Sequence, residues 1–123
     1  MMKMKHEIII SIASNENQEA NLAKARELLK TIIPELTFTN ELWTEPVNTT
    51  RKSMYLNQLC KGVTELGPNL LSEVLKETER RLGRRHNEDG IVVIDLDLLQ
   101  YDKERFHIRD WEHNYVKDLM KEL

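Results

Sequence analysis

Two hydrophobic periodicities take turns along this chain, and their order leaves few architectures open. Ile8, Ile10 and Ile12 alternate with Ile9, Ser11 and Ala13, the pattern of a strand covered on both faces or nearly so. The period then lengthens: Leu22, Ala25, Leu28, Leu29, Ile32 and Ile33 recur at helical spacing after "ASNEN", where Asn15 with Gln18, or Asn17 alone, would cap, and before Pro34, which ends the helix. "ELTFTNELWTE" sets Leu36 and Phe38 against Thr37 and Thr39 and predicts a second strand. After the polar loop "PVNTTRKS", a third strand in "MYLNQLCKGVTEL" puts Tyr55, Asn57 and Leu59 on one face and Met54, Leu56 and Gln58 on the other. A second helix is bounded by Gly67 and Pro68 at its start and Gly83 at its end, with Leu71, Val74, Leu75, Thr78 and Leu82 as its apolar stripe. "RRHNEDG" is again a polar loop, and "GIVVIDLDLLQYD", residues 90–102, is the fourth strand.

The order β-α-β-β-α-β predicts an α+β fold, a ferredoxin-like sandwich of a four-stranded antiparallel sheet with both helices on one face. Residues 103–123 form a short C-terminal extension that turns at Asp102 and Lys103, returns through Phe106 and Ile108, and ends as a helix with Tyr115, Leu119 and Met120 inward. At 123 residues the whole chain, 1–123, is read as one domain. With 40% hydrophobic and 32% charged residues it reads as an ordinary soluble protein. The lone Cys60 makes no internal disulfide or zinc cluster and suits a reducing cytoplasm. The apolar run after "MMKMKHE" is too short to span a membrane, and a net charge of −3 argues against a general nucleic-acid binder. Nothing in the chain calls for an obligate protein partner.

Three groups of residues bear on chemistry. Along a strand, residues i and i+2 point the same way, roughly 6.5–7 Å apart, so Asp95 and Asp97 share a face and stand close enough to hold hard divalent cations between them. The plain alternative is two solvated acids, although Ile91 and Val93 earlier on that face suggest partial cover. Tyr55 and Asn57 likewise share a face; an amide offers donor and acceptor to a heterocycle edge and a ring gives a stacking wall, while both residues also occur as ordinary strand structure. "ERRLGRRH" gathers Arg80, Arg81, Arg84 and Arg85, either as a local anion site or as cations favoured at a helix C-terminus.

In their order and spacing, "SIASNENQEANLAKARELL", "TEPV", "YLNQ", "ERRLGR" and "IDLDLLQYD" resemble the 6-hydroxymethyl-7,8-dihydropterin pyrophosphokinases of folate biosynthesis, over about residues 6–102. The resemblance implies a ferredoxin-like fold and transfer of diphosphate from ATP, as co-substrate, to a pterin. It implies that Asp95 and Asp97 bind two Mg2+ ions bridging the ATP phosphates, and that Asn57 holds the pterin with Tyr55, Thr44 and Val47 beside it. Glu79 and Arg84 match the family's Glu and Gly-Arg at the end of the second helix, making Arg84 a phosphate-contacting, catalytic candidate with Arg85 next to it. His113 and Tyr115 in "WEHNYV" stand where an arginine and a pterin-stacking phenylalanine sit.

The departures are equally specific. Where the family carries Trp-Gly-Pro-Arg this chain has Asp89, Gly90, Ile91 and Val92; the Pro-His-Pro segment and the arginine after it are absent, and the opening glycine is Ala13. Arg85 and His86 are the loop residues available as partial replacements. Two alternatives therefore stand beside the enzyme: a catalytically impaired homologue that binds nucleotide or pterin, and a ferredoxin-like protein-interaction module, which would need none of Asp95, Asp97 and Asn57.

Overall fold

A computed structural model describes residues 4–46, 53–84 and 90–123. The strands are β1 (His6–Ser14), β2 (Thr37–Phe38), β3 (Leu42–Thr44), β4 (Tyr55–Thr64), β5 (Asp95–Tyr101) and β6 (Glu104–Arg105); the helices are α1 (Gln18–Ile32), α2 (Pro68–Arg81) and α3 (Asn114–Met120), with a 3-10 turn at Ile108–Glu112. All strand pairs are antiparallel, in the order β2-β4-β1-β5-β6 with β3 also on β4. The central strand β1 is covered on both sides. Ile8, Ile10 and Ile12 pack with Leu56, Cys60, Leu96 and Leu98 beneath Leu22 and Leu29 of α1 and Leu71 and Leu75 of α2. On the opposite side Ile9, Leu59 and Leu99 pack beneath Val116 and Leu119 of α3.

The sheet has six strands where the periodicity predicted four, and each added strand has a local cause. The second strand is broken into β2 and β3 by an extra residue. From Phe38 to Leu42 the chain advances four residues while its partner advances three, from Cys60 to Asn57, which is a bulge. Thr39 bridges the break: its N–H donates to the Leu59 carbonyl (2.9 Å) and its hydroxyl accepts the Leu59 N–H (3.0 Å). The sixth strand comes from the turn at Asp102 and Lys103, with Asp102 at φ 53°. The Asp102 carboxylate anchors that turn to β1 through His6 Nδ1 (2.6 Å) and the Glu7 N–H (3.0 Å).

β5 also differs from simple alternation. Ile9 pairs with Gln100 but Ile10 with Leu98, leaving Leu99 as an extra residue. Leu98 joins the core under α1 and α2, Leu99 the core under α3, and Tyr101 instead of Gln100 turns back to the first core. The strand starts at Asp95, later than the expected residue 90, because the backbone before it is bonded by a side chain. Asn15, 1% exposed, donates Nδ2–H to the Gly90 carbonyl (2.8 Å) and accepts the Val92 N–H (2.7 Å). Asn15 is thus no helix cap, and Asn17, at the cap position of α1 with φ 44°, makes no side-chain cap bond either.

The C-terminal extension returns through Glu104–Arg105 and, as expected, Phe106, whose N–H bonds the Leu99 carbonyl (2.9 Å) and whose ring packs on the first core; Ile108 instead lies in the 3-10 turn and is exposed. In α3, Val116 and Leu119 are the deepest residues, with Tyr115 and Met120 partly buried against the same cluster. No helix among the described residues is long and apolar enough to cross a membrane.

Candidate functional site

α3 and the 3-10 turn cover only one end of the second sheet face. At the other end the strands keep small or polar residues pointing outward: Ser11 and Ala13 on β1, Tyr55 and Asn57 on β4, Asp95 and Asp97 on β5. These, with Thr44 and Glu45 on one side and Asp110, His113 and Tyr115 on the other, line a cleft of about 360 Å³. Strand register explains the grouping, since Ala13 lies opposite both Asn57 and Asp95, and Ser11 opposite Asp97. Of the residues singled out from the sequence, Thr44, Tyr55, Asn57, Asp95, Asp97, His113 and Tyr115 meet in this one cleft. Val47 and Arg85 lie outside the described residues.

Asn57 is 3% exposed, and its Nδ2 is already used, donating to the Leu42 carbonyl (3.0 Å) and to Thr44 Oγ1 (2.8 Å). It therefore fixes β3 and the Thr44 wall of the cleft. Tyr115 stacks on His113, with ring centroids 5.7 Å apart and planes 17° from parallel. Burial first, then the charges of Asp110, Asp95 and Asp97, push the Tyr115 hydroxyl up to about 12, so it stays a neutral hydrogen-bonding group.

The acids are held from the flank of β5. On its outer edge β5 pairs with β6 at Gln100 and Tyr101, the Phe106 N–H adds a bond to the Leu99 carbonyl (2.9 Å), and the end of α2 serves its beginning. Glu79 Oε2 accepts the Leu96 N–H (2.8 Å), the amide between the two acids, and Arg84 Nη1 reaches Asp95 Oδ1 (2.7 Å), Glu79 Oε2 (3.0 Å) and the Ile94 carbonyl (3.3 Å). Burial raises the Glu79 carboxyl above its ordinary range, against the pull of the Leu96 N–H and Arg84. Burial also opposes the Arg84 charge, but Asp95 and Glu79 outweigh it and hold the guanidinium above its ordinary value. Glu79 and Arg84 belong to a neighbouring groove of about 640 Å³ that shares Asp95 and Asp97 with the cleft.

Arg84 bonds Asp95 and not Asp97. Asp97 faces His107 Nε2 at 3.8 Å; burial first, then Asp95, with Asp110 and Glu79 further off, pushes its carboxyl up to about 8. One guanidinium shared between Asp95 and Glu79 leaves the acid pair with excess negative charge, and two crowded hard-oxygen donors of that kind fit a divalent cation. No group of three His, Cys, Asp or Glu side chains able to hold a metal occurs among the described residues; a cation here would complete its shell with water or phosphate oxygens, as magnesium commonly does.

The sequence did not point to Asn15, His107 or Asp110. Asn15 acts on backbone 75 residues away, which no local pattern reveals. His107 and Asp110 depend on how the tail folds back, and only their proximity to "HNY" hinted at it.

A family model described as 7,8-dihydro-6-hydroxymethylpterin-pyrophosphokinase matches residues 9–123. The chain is 37% identical over 126 residues to a mitochondrial folate synthesis bifunctional protein of Arabidopsis thaliana, covering 91% of this chain and 22% of that relative. It is 35% identical over 122 residues to a second folate synthesis bifunctional protein of that plant, covering 89% and 25%. A mitochondrial folate synthesis bifunctional protein of Pisum sativum is 30% identical over 131 residues, covering 95% and 25%. The chain spans about a quarter of the length of these curated relatives.

Proposed function

Since this chain belongs to the 7,8-dihydro-6-hydroxymethylpterin-pyrophosphokinase family, we propose that it acts in folate biosynthesis by moving diphosphate from ATP to the hydroxymethyl group of the dihydropterin. The observation that carries the reading is the meeting of Tyr55, Asn57 and Tyr115 with Asp95 and Asp97 in one cleft, which puts a heterocycle wall beside a cation-binding acid pair. In the reaction the hydroxymethyl oxygen attacks the β-phosphorus, the bond from that phosphorus to the α,β-bridging oxygen breaks, AMP leaves with that oxygen, and the hydroxyl proton goes to solvent. Magnesium held by Asp95 and Asp97 would supply neutralising charge to the phosphates. The chain's own residues hold the geometry: Glu79 and Arg84 fix β5 so that both acids face the cleft, Asn57 fixes the Thr44 wall, and Tyr55 and Tyr115 flank the heterocycle. Positioning of this kind carries much of phosphoryl-transfer catalysis.

A second reading, reduced turnover with binding retained, has an observation of its own. Val92 stands at the place of the family's loop arginine, is 8% exposed, and gives its N–H to Asn15; among the described residues no lysine or arginine lines the cleft. Loss of a transition-state arginine costs on the order of 10³ to 10⁵ in rate. The test is AMP release from Mg-ATP with and without hydroxymethyl-dihydropterin. Pterin-dependent AMP release that Asp95→Asn or Asp97→Asn lowers by about 10² or more supports the enzyme. Binding of both substrates with no release supports the impaired homologue. Binding of neither overturns both.

A further inference from the structure

The tail is fastened to the residue that β5 leaves over. Leu99 stands unpaired where the register slips between Ile9 and Ile10; its carbonyl accepts the Phe106 N–H (2.9 Å) and its side chain lies in the cluster under Val116 and Leu119. The Phe106 carbonyl in turn accepts the Trp111 indole N–H (3.0 Å), and the turn around Trp111 carries Asp110 and leads into His113 and Tyr115, one side of the cleft. The bulge itself is held from the end of the strand. Asp102 gives its N–H to the Glu7 carbonyl (2.7 Å), one of its carboxylate oxygens accepts the Glu7 N–H (3.0 Å), and the other meets His6 Nδ1 (2.6 Å). The His6 ring stacks on Tyr101 with centroids 4.8 Å apart, and the Tyr101 hydroxyl donates to the Leu66 carbonyl (2.7 Å). A bulge-free strand would continue the register of the acids, in which Ser11 faces Asp97, to set Leu99 opposite Ile9, Gln100 opposite Ile8 and Tyr101 opposite Glu7. In that arrangement the acids stay in the cleft, while Tyr101 leaves the first core and the turn that carries the tail moves by one residue.

We propose that His6 and Asp102, with Tyr101, are positioning residues for the heterocycle side of the cleft: by holding the bulge at Leu99 they set the place of the tail, and so of Asp110, His113 and Tyr115, independently of the acid pair. The proposal rests on the reading given under Proposed function, because it takes that side of the cleft to meet the pterin. None of His6, Tyr101 and Asp102 lines the cleft; they act from the opposite end of β1, through the register of β5 and the attachment at Phe106.

The experiment compares the wild type with His6→Ala/Asp102→Gly, which removes the clamp, and with Asp102→Asn, which keeps it. Glycine accepts the φ of 53° at residue 102 without strain, and asparagine tolerates it while offering a side-chain oxygen to the Glu7 N–H. Each protein is titrated calorimetrically with hydroxymethyl-dihydropterin and with Mg-ATP, hydrogen exchange is followed at the Phe106 amide, and melting curves establish that the variants are folded. The double variant should bind pterin about tenfold more weakly and Mg-ATP less than about twofold more weakly, with faster exchange at Phe106, and Asp102→Asn should stay within about threefold of the wild type for both ligands. Undiminished pterin affinity in the double variant, with Mg-ATP bound as in the wild type, overturns the positioning role and leaves the function standing. Equal weakening of both ligands also overturns it, since a merely structural clamp would act on the whole cleft. Faster exchange at Phe106 in a protein whose wild type takes up neither ligand keeps the clamp as what places the tail and overturns the function.

Discussion

On the proposed function Asp97 meets two opposing demands: it would present a charge to the cleft, and its surroundings resist that charge. The folded carboxyl titrates at about 8 against an ordinary 3.8. Between about pH 4 and about pH 8 the folded state therefore keeps a proton that the unfolded chain has released, and stability falls as pH rises through that window. Without divalent cations, the urea midpoint should decline across this range in the wild type and decline less in Asp97→Asn, and magnesium should restore the wild type at the alkaline end. Parallel curves for the two proteins would show that Asp97 is not the group responsible. The acid pair was legible from sequence because a period of two needs only neighbours. Asp110 and His107, which complete its surroundings, come from a segment whose return to the sheet is set by packing at a distance.

Among the elements, β5 is the one most shaped by its surroundings. Its inner side pairs with β1, its outer side is served by Glu79 and Arg84, and the backbone leading into it is fastened by Asn15. Asn15→Ala removes the side-chain partner of the half-buried Gly90 carbonyl and of the buried Val92 N–H and should cost about 1–3 kcal/mol in urea denaturation, with faster hydrogen exchange at the Val92 amide. Unchanged exchange there would mean that the segment is held by something else. The helices and long strands were readable from periodicity and from Pro34, Gly67, Pro68 and Gly83. The break at Thr39 was not, because threonine suits a strand and its hydroxyl does the work of a backbone group. The extra Leu99 was equally hidden: Leu98 and Leu99 read as one apolar run, although they enter different cores.

Across the whole molecule, one sheet serves two layers that differ in extent. α1 and α2 roof one face, while α3 and the 3-10 turn cover part of the other through a small cluster of Ile9, Leu59, Leu99, Val116 and Leu119. Leu119→Ala should cost about 2–5 kcal/mol and, by loosening the element that carries Tyr115, weaken pterin binding more than Mg-ATP binding. Equal losses for the two ligands would show that α3 does not set the cleft wall independently of the acids. The half-covered face also bears on how such a protein can change over time. The acid pair is written into the central sheet, where any shift disturbs both cores, whereas Asp110, His113 and Tyr115 are written into an attachment that touches the sheet through a few apolar side chains. On the proposed function, exchanging the tail would alter the wall offered to the heterocycle and leave the acid pair of the central sheet in place.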